Sequence, residues 1–203
     1  MNVLIDSLYQ KSTLPISITP IVTSQLENLG CHKRERETKQ STSFSFTRFL
    51  VPYLMEYKGW AIFMDCDVLC RTDISKLWNL RNDDYSIMCV KHNHMPTEKT
   101  KFLGETQSSY PKKNWSSLML MNCVRCKALT PDYVNKATGL DLHRFNWLDS
   151  EEEVGEIKDH WNYLVGVQSS DRSKNASILH WTLGGPWFPK QRTIGGELAA
   201  EWY

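Results

Sequence analysis

The sequence predicts an α/β fold with a mostly parallel central sheet flanked by helices. Three apolar runs carry that expectation: WAIFM at 60–64, YSIMCV at 85–90 and SSLMLM at 116–121. Each has strand length and little or no polar face, as strands covered on both sides do. Segments with helical spacing lie between them, and the alternation of the two element types defines the class.

Residues 2–11 place apolar groups at helical spacing, and Pro15 follows at the turn. ISITPI at 16–21 is β-branched and reads as a short strand ended by Pro20. Residues 22–42 are polar and read as a loop. Their basic run at 33–39 is interleaved with Glu35 and Glu37, which makes it a solvated stretch. A helix is expected over 43–57, with Ser43 as its cap, Pro52 as a kink and Gly59 closing it. The run at 60–64 is the candidate central parallel strand. ISKLWNL at 74–80 makes a short helix, and 91–113 is a long polar stretch. Helical segments fill 122–130, 131–138 and 149–158, and a last apolar stretch at 177–183 ends in GGPW.

A chain of 203 residues can bury one good core, so a single domain over 1–203 is expected. A net charge of +1 gives no global field toward nucleic acid. No apolar run approaches the ~20 residues that span a bilayer, so no transmembrane segment is expected; peripheral membrane contact stays open. The start carries no signal-peptide pattern, and four of the six cysteines fall in or beside apolar segments, as free buried thiols do. A reduced, cytoplasmic protein follows as the expectation. Cys123 and Cys126 have the spacing of half a zinc knuckle, but no second pair follows. Six of the eight tryptophans lie in the C-terminal half, where they suit either a carbohydrate face or, by preference, the core.

The chemistry gathers at 63–73, FMDCDVLCRTD. Two acids one residue apart close an apolar strand, and a buried carboxylate pair is costly unless something neutralises it. In extended backbone Asp65 and Asp67 point to the same side and can reach one cation. Hard oxygen donors of this kind suit manganese(II) or magnesium. Two acids at a wet loop start are the alternative. Asp73 reads as a helix cap rather than a ligand.

The ordered set of Phe46-Thr-Arg48-Phe-Leu50-Val-Pro52, the Asp-x-Asp, Asn114-Trp-Ser116-Ser117 and ILHWTLGGPW at 178–187 resembles the family 8 glycosyltransferases. This is the glycogenin and bacterial galactosyltransferase group, with a GT-A fold. The resemblance implies that Asp65, Asp67 and His180 hold the metal. It implies that Arg48, Asn114, Ser116 and Ser117 contact the nucleotide sugar, and that Gly184 and Gly185 let the backbone approach its diphosphate. Asp149 is the acid left in the region where the family carries Asp-Gln-Asp, and it is expected to stabilise the reacting centre or orient the acceptor. Lys91, His92 and His94 are weaker candidates on the same rim.

Three departures qualify the match. Gly185 stands where a lysine is usual before Pro186-Trp187, so that diphosphate contact is either lost or supplied by another base such as Lys190. Asp149 is the sole matching acid of its segment. The chain also opens at what resembles the family's first helix, so an N-terminally truncated domain is expected. The resemblance implies a metal-dependent, retaining transfer of a sugar from a nucleoside-diphosphate donor to a carbohydrate or glycoconjugate hydroxyl. The competing expectation is a non-catalytic nucleotide-sugar-binding or scaffold protein with the same fold. A nucleotidyltransferase or hydrolase could use the acid pair too, but has no need of the late His-x3-Gly-Gly.

Overall fold

The structure is a computed structural model and describes residues 1–34, 44–93 and 112–203. Ser43, most of the basic run and His94 lie outside these residues. Two mixed sheets sit among short helices. The larger contains β1 (Trp60–Met64), β3 (Ile87–Cys89), β4 (Leu118–Asn122) and β5 (Val154–Glu156) in the order β1-β4-β3-β5. The smaller contains β2 (Val68–Cys70), β6 (Tyr163–Leu164) and β7 (Ile178–His180) in the order β2-β7-β6.

The α/β class is as the sequence predicts, but the sheets are mixed rather than mostly parallel. β1 and β3 both run antiparallel to β4, as β2 does to β7, and the parallel pairs are β3–β5 and β6–β7. The central strand is β4, whose five residues are all buried. Met119 and Met121 point into one core with Phe49, Leu50 and Ile87, while Leu118 and Leu120 point into the other with Val68, Leu77 and Met88. That two-sided alternation follows from the period of two along a strand. WAIFM forms β1 with the expected bounds. It is an edge strand among the described residues, half-buried along its length, because β4 is its sole partner. A continuous apolar run shows that both faces are covered but leaves the strand's place in the order undetermined.

Helix α1 (Asn2–Lys11) buries Leu4, Ser7 and Leu8, and Ser7 Oγ accepts from the Cys70 amide at 3.0 Å, docking the helix on β2. Residues 16–21 form no strand; Ile16, Ile18 and Ile21 pack on the cores from extended chain. Helix α2 (Thr23–Asn28) occupies part of the expected loop, burying only Leu26. The helix expected over 43–57 is broken into a 3-10 turn, Thr47–Leu50, and the short α3 (Val51–Leu54). Pro52 sits at the start of α3, where its missing N–H removes no helical bond. The chain then leaves helical geometry through Glu56 and Tyr57, both at positive φ, before Gly59.

Helix α4 (Ser75–Trp78) and helix α5 (Pro131–Lys136) fall where expected, and Thr130 caps α5 by accepting from the Tyr133 amide. A further helix, α6 (Gly139–His143), carries its own Thr138 cap. The helix expected at 149–158 is a 3-10 turn, Glu151–Glu153, leading into β5. The Ser150 capping box supplies a helix-start signal there, but Gly155 belongs in a strand: a Cβ on it would collide with Tyr85 and Met88. Around β6 and β7 a third core gathers Tyr163, Val165, Trp181 and Trp202. Of the C-terminal-half tryptophans, four are buried, Trp115 is partly buried and Trp187 is 36% exposed, so the core preference holds for most of them.

Candidate metal centre

The Asp-x-Asp motif spans the junction of the two sheets. The Asp65 amide donates to Ser117 O at 2.9 Å, which extends the β1–β4 ladder by one step. Two residues later, Asp67 O accepts from the Trp181 amide at 3.0 Å, which extends the β2–β7 ladder. The carboxylates therefore converge through a turn at 65–67, not along extended backbone as the residue spacing suggested. The β2–β7 register pairs Val68 with His180, which brings that imidazole beside Asp67.

Asp65, Asp67 and His180 each offer one ligand atom, and these atoms lie within 4.8 Å of one another. Asp67 Oδ1 is 3.3 Å from His180 Nε2, outside hydrogen-bond geometry, and it is buried with no hydrogen-bond donor among the described residues. Two carboxylate oxygens, one of them orphaned, and an imidazole nitrogen form a donor set suited to a hard or borderline divalent cation. By that measure the residues fit a manganese(II) or magnesium ion.

Arg48 is 7% exposed and fully committed. Its Nε donates to Ser45 O at 2.9 Å, Nη1 to Ser116 O at 2.9 Å and to Asp65 Oδ2 at 3.3 Å, and Nη2 pairs with Asp65 Oδ1 at 2.8 Å. The anionic partner implied by its apolar neighbours is thus Asp65. Burial pushes the Asp65 carboxyl above its usual range, against the opposing pull of Arg48. Burial also acts upward on Asp67, but the charge and polar contact of His180, with its own backbone bonds, outweigh it and hold that carboxyl below its usual range. One acid is balanced by the guanidinium, and the other faces the His180 imidazole.

Two residues that the sequence reading missed complete the arrangement. Asn162 is fully buried; its Nδ2 donates to Ser117 Oγ at 2.9 Å, and its Oδ1 lies 2.9 Å from His180 Nδ1. His143 Nδ1 lies 2.7 Å from Ser116 Oγ, with its ring against Phe46 and Phe49. Ser117 Oγ donates to Asn114 O at 2.6 Å, and Asn114, at a φ of 65°, accepts from Thr182 Oγ1 at 3.4 Å. Arg48, Asn114, Ser116 and Ser117 are therefore gathered with Asp65, Asp67 and His180 in one polar network.

The other candidates stand apart from that network. Gly184 has φ +101°, and its amide already donates to Trp181 O at 2.9 Å. That φ favours glycine at 184, and a Cβ on Gly185 would strike the Trp187 ring, so features within the chain account for both glycines. The exposed Asp149 has its amide bonded to Glu153 Oε1 at 3.0 Å. Glu153 also binds Ser86 Oγ at the beginning of β3, whereas Asp65 closes the opposite end of the sheet. Lys91 lies over the Trp115 ring at 5.7 Å, and His92 O accepts from Trp115 Nε1 at 3.0 Å.

An α/β protein that brings an Asp-x-Asp and a late histidine together between two sheets has the architecture of a GT-A glycosyltransferase. The particular family follows from comparison: the profile of glycosyl transferase family 8 matches residues 5–189, and the chain belongs to that family. Protein CDI of Arabidopsis thaliana is 48% identical over 187 residues, covering 90% of this chain and 72% of that protein. The fold is shared with the apo form of the bifunctional glycosyltransferase WbbM, at a TM-score of 0.55 and 14% identity over 85% of this chain. It is shared too with the glycosyltransferase GlyE of Streptococcus pneumoniae TIGR4, at 0.51 and 14% over 77%. The match spans 36% and 42% of those two chains.

Proposed function

We propose that the protein is a metal-dependent glycosyltransferase that moves a sugar from a nucleoside-diphosphate donor to a hydroxyl of a carbohydrate or glycoconjugate acceptor, with retention of anomeric configuration. The observation that carries this reading is the orphaned, buried Asp67 Oδ1 beside Asp65 and His180 in a family 8 chain. Asp65, Asp67 and His180 would hold manganese(II) or magnesium. When bound, such an ion supplies Lewis-acid stabilisation of the diphosphate as the glycosidic bond breaks.

The protein's own groups have separate tasks. Arg48 fixes the Asp65 carboxylate and offsets its burial, leaving one net negative charge to attract the cation. Ser116, Ser117 and Asn114 line the same network and are proposed to position the donor sugar. Gly184 and Gly185 are assigned to the diphosphate side, with Lys190 as the base available there. Asp149 is proposed to reach the reacting centre only after a movement of its segment, since its observed bonds face the other end of the sheet. The six free cysteines support a reducing, cytoplasmic compartment as part of the proposal. No described helix is long and apolar enough to cross a membrane.

Gly185 in place of the expected lysine favours a second reading, a nucleotide-sugar-binding protein without turnover. Incubating the protein with manganese and a panel of nucleotide sugars separates the two. Sugar transfer or donor hydrolysis that Asp67→Asn abolishes supports the enzyme. Metal-dependent binding without product supports the scaffold, and absence of any binding contradicts both.

A further inference from the structure

We infer that Asn162 is a positioning residue: it fixes the tautomer of His180 so that the imidazole turns a lone pair, not an N–H, toward Asp65 and Asp67. The inference rests on reading those residues as a cation site and adds to it the group that sets the imidazole behind them.

A one-way chain of hydrogen bonds leads from Asn114 to His180. Asn114 O is a carbonyl and can only accept, so the 2.6 Å contact commits the Ser117 hydroxyl proton to it. Ser117 Oγ then has only lone pairs left for Asn162, which requires the amide NH2 to face it, at 2.9 Å. The amide oxygen is consequently turned toward His180 Nδ1, also at 2.9 Å, and that nitrogen must carry the proton. In the neutral ring Nε2 is left bare. It faces Asp67 Oδ1 at 3.3 Å, on the side where the cation would be held.

Without this chain the preference would reverse. The Asp67 carboxylate beside Nε2 would draw the proton to that nitrogen, and a protonated Nε2 cannot ligate a metal. Asn162 is 0% exposed and ties Ser117 at the head of β4 to His180 on β7, so it sits where both sheets fix its orientation. Partners of this kind orient ligating histidines generally, and their loss lowers metal affinity about 10–100-fold.

The test uses three proteins, wild type, N162L and N162D, each checked for folding by circular dichroism and thermal melting. Nitrogen-15 spectra of the metal-free proteins at about pH 8, where imidazole is neutral, read the His180 tautomer directly. Manganese binding is measured in parallel by electron paramagnetic resonance. The wild type is expected to show Nδ1–H. In N162L the proton is expected to move toward Nε2, with manganese affinity reduced 10–100-fold. N162D keeps a carboxylate acceptor for Nδ1–H and is expected to retain the wild-type tautomer and to bind manganese within about tenfold of wild type.

A wild-type ring protonated at Nε2 overturns the inference. So does a folded N162L with unchanged tautomer or affinity, or an N162D that loses as much affinity as N162L. If N162L does not fold, the wild-type spectrum and N162D decide alone. A wild type that binds no manganese removes the metal reading while the metal-free spectra still judge the role of Asn162.

Discussion

At the scale of single residues, charge balance explains the centre. Arg48 and Asp65 are a buried bidentate pair, and removing one partner of such a pair strands the other. Arg48→Met is expected to destabilise the fold by roughly 3–5 kcal/mol at neutral pH, measured by urea denaturation. A loss below about 1 kcal/mol would show that Asp65 is solvated instead. Asp73 behaves differently. The Thr13 hydroxyl and the Ser75 amide, the latter at 2.9 Å, hold its carboxyl down to about 2; Ile74, not Asp73, occupies the cap position expected of it, with Asp73 one residue before. A depressed folded value means that its contribution is present above the ordinary carboxylate range and is lost as pH falls toward 2. Thr13→Val should raise the Asp73 titration midpoint toward ~3.9, read by carbon-13 spectroscopy, and an unmoved midpoint would remove Thr13 as the cause.

The two acids were legible because they close an apolar run, where a polar side chain stands out, whereas His180 and Arg48 were picked out through the resemblance to family 8. Asn162 was not, since its meaning lies in Ser117 and His180, 45 and 18 residues away. His143 was hidden for the same reason, bonded to Ser116 across 27 residues.

At the scale of elements, β4 is the member on which the sheet depends. Leu120 is fully buried in it, and Leu120→Ala is expected to cost about 2–5 kcal/mol by chemical denaturation. The same change at the half-exposed Leu54 should cost far less. Burial pushes the Cys123 thiol up to about 11 and the Cys89 thiol up to about 12. Raised thiols keep their protons in the fold while the unfolded chain loses them. Stability is therefore full below about pH 8.5 and is expected to fall steadily toward pH 12, followed by melting temperature against pH. Strands β1, β3, β4 and β7 were readable because continuous apolar runs survive any neighbour order. β2 was missed because Asp67 and Arg71 close in on its three residues, and β6 because two residues give no period to detect. ISITPI had strand chemistry but pairs with no described strand, and packing of its isoleucines on the cores prevailed over propensity.

At the scale of the whole molecule, the two sheets meet at Asp65–Asp67, and a cation held there would link them. Ligand binding to the native state alone stabilises it by about 2.7 kcal/mol at a hundredfold excess over the dissociation constant. For a chain of this size that corresponds to a melting-temperature rise of roughly 5–10 °C, reversed by a chelator. The class of fold was readable from the alternation of runs, while the mixed strand directions were not, because an apolar run looks the same read from either end.

The central claim is that Asp65, Asp67 and His180 hold a divalent cation that recruits a nucleotide sugar. Calorimetric titration of nucleoside diphosphate into wild type and Asp67→Asn, each with manganese and with chelator, tests it most directly. The account predicts binding to wild type with manganese only, and a loss of at least about tenfold in affinity for Asp67→Asn. Equal binding with chelator present, or an Asp67→Asn protein that binds as wild type does, would contradict it.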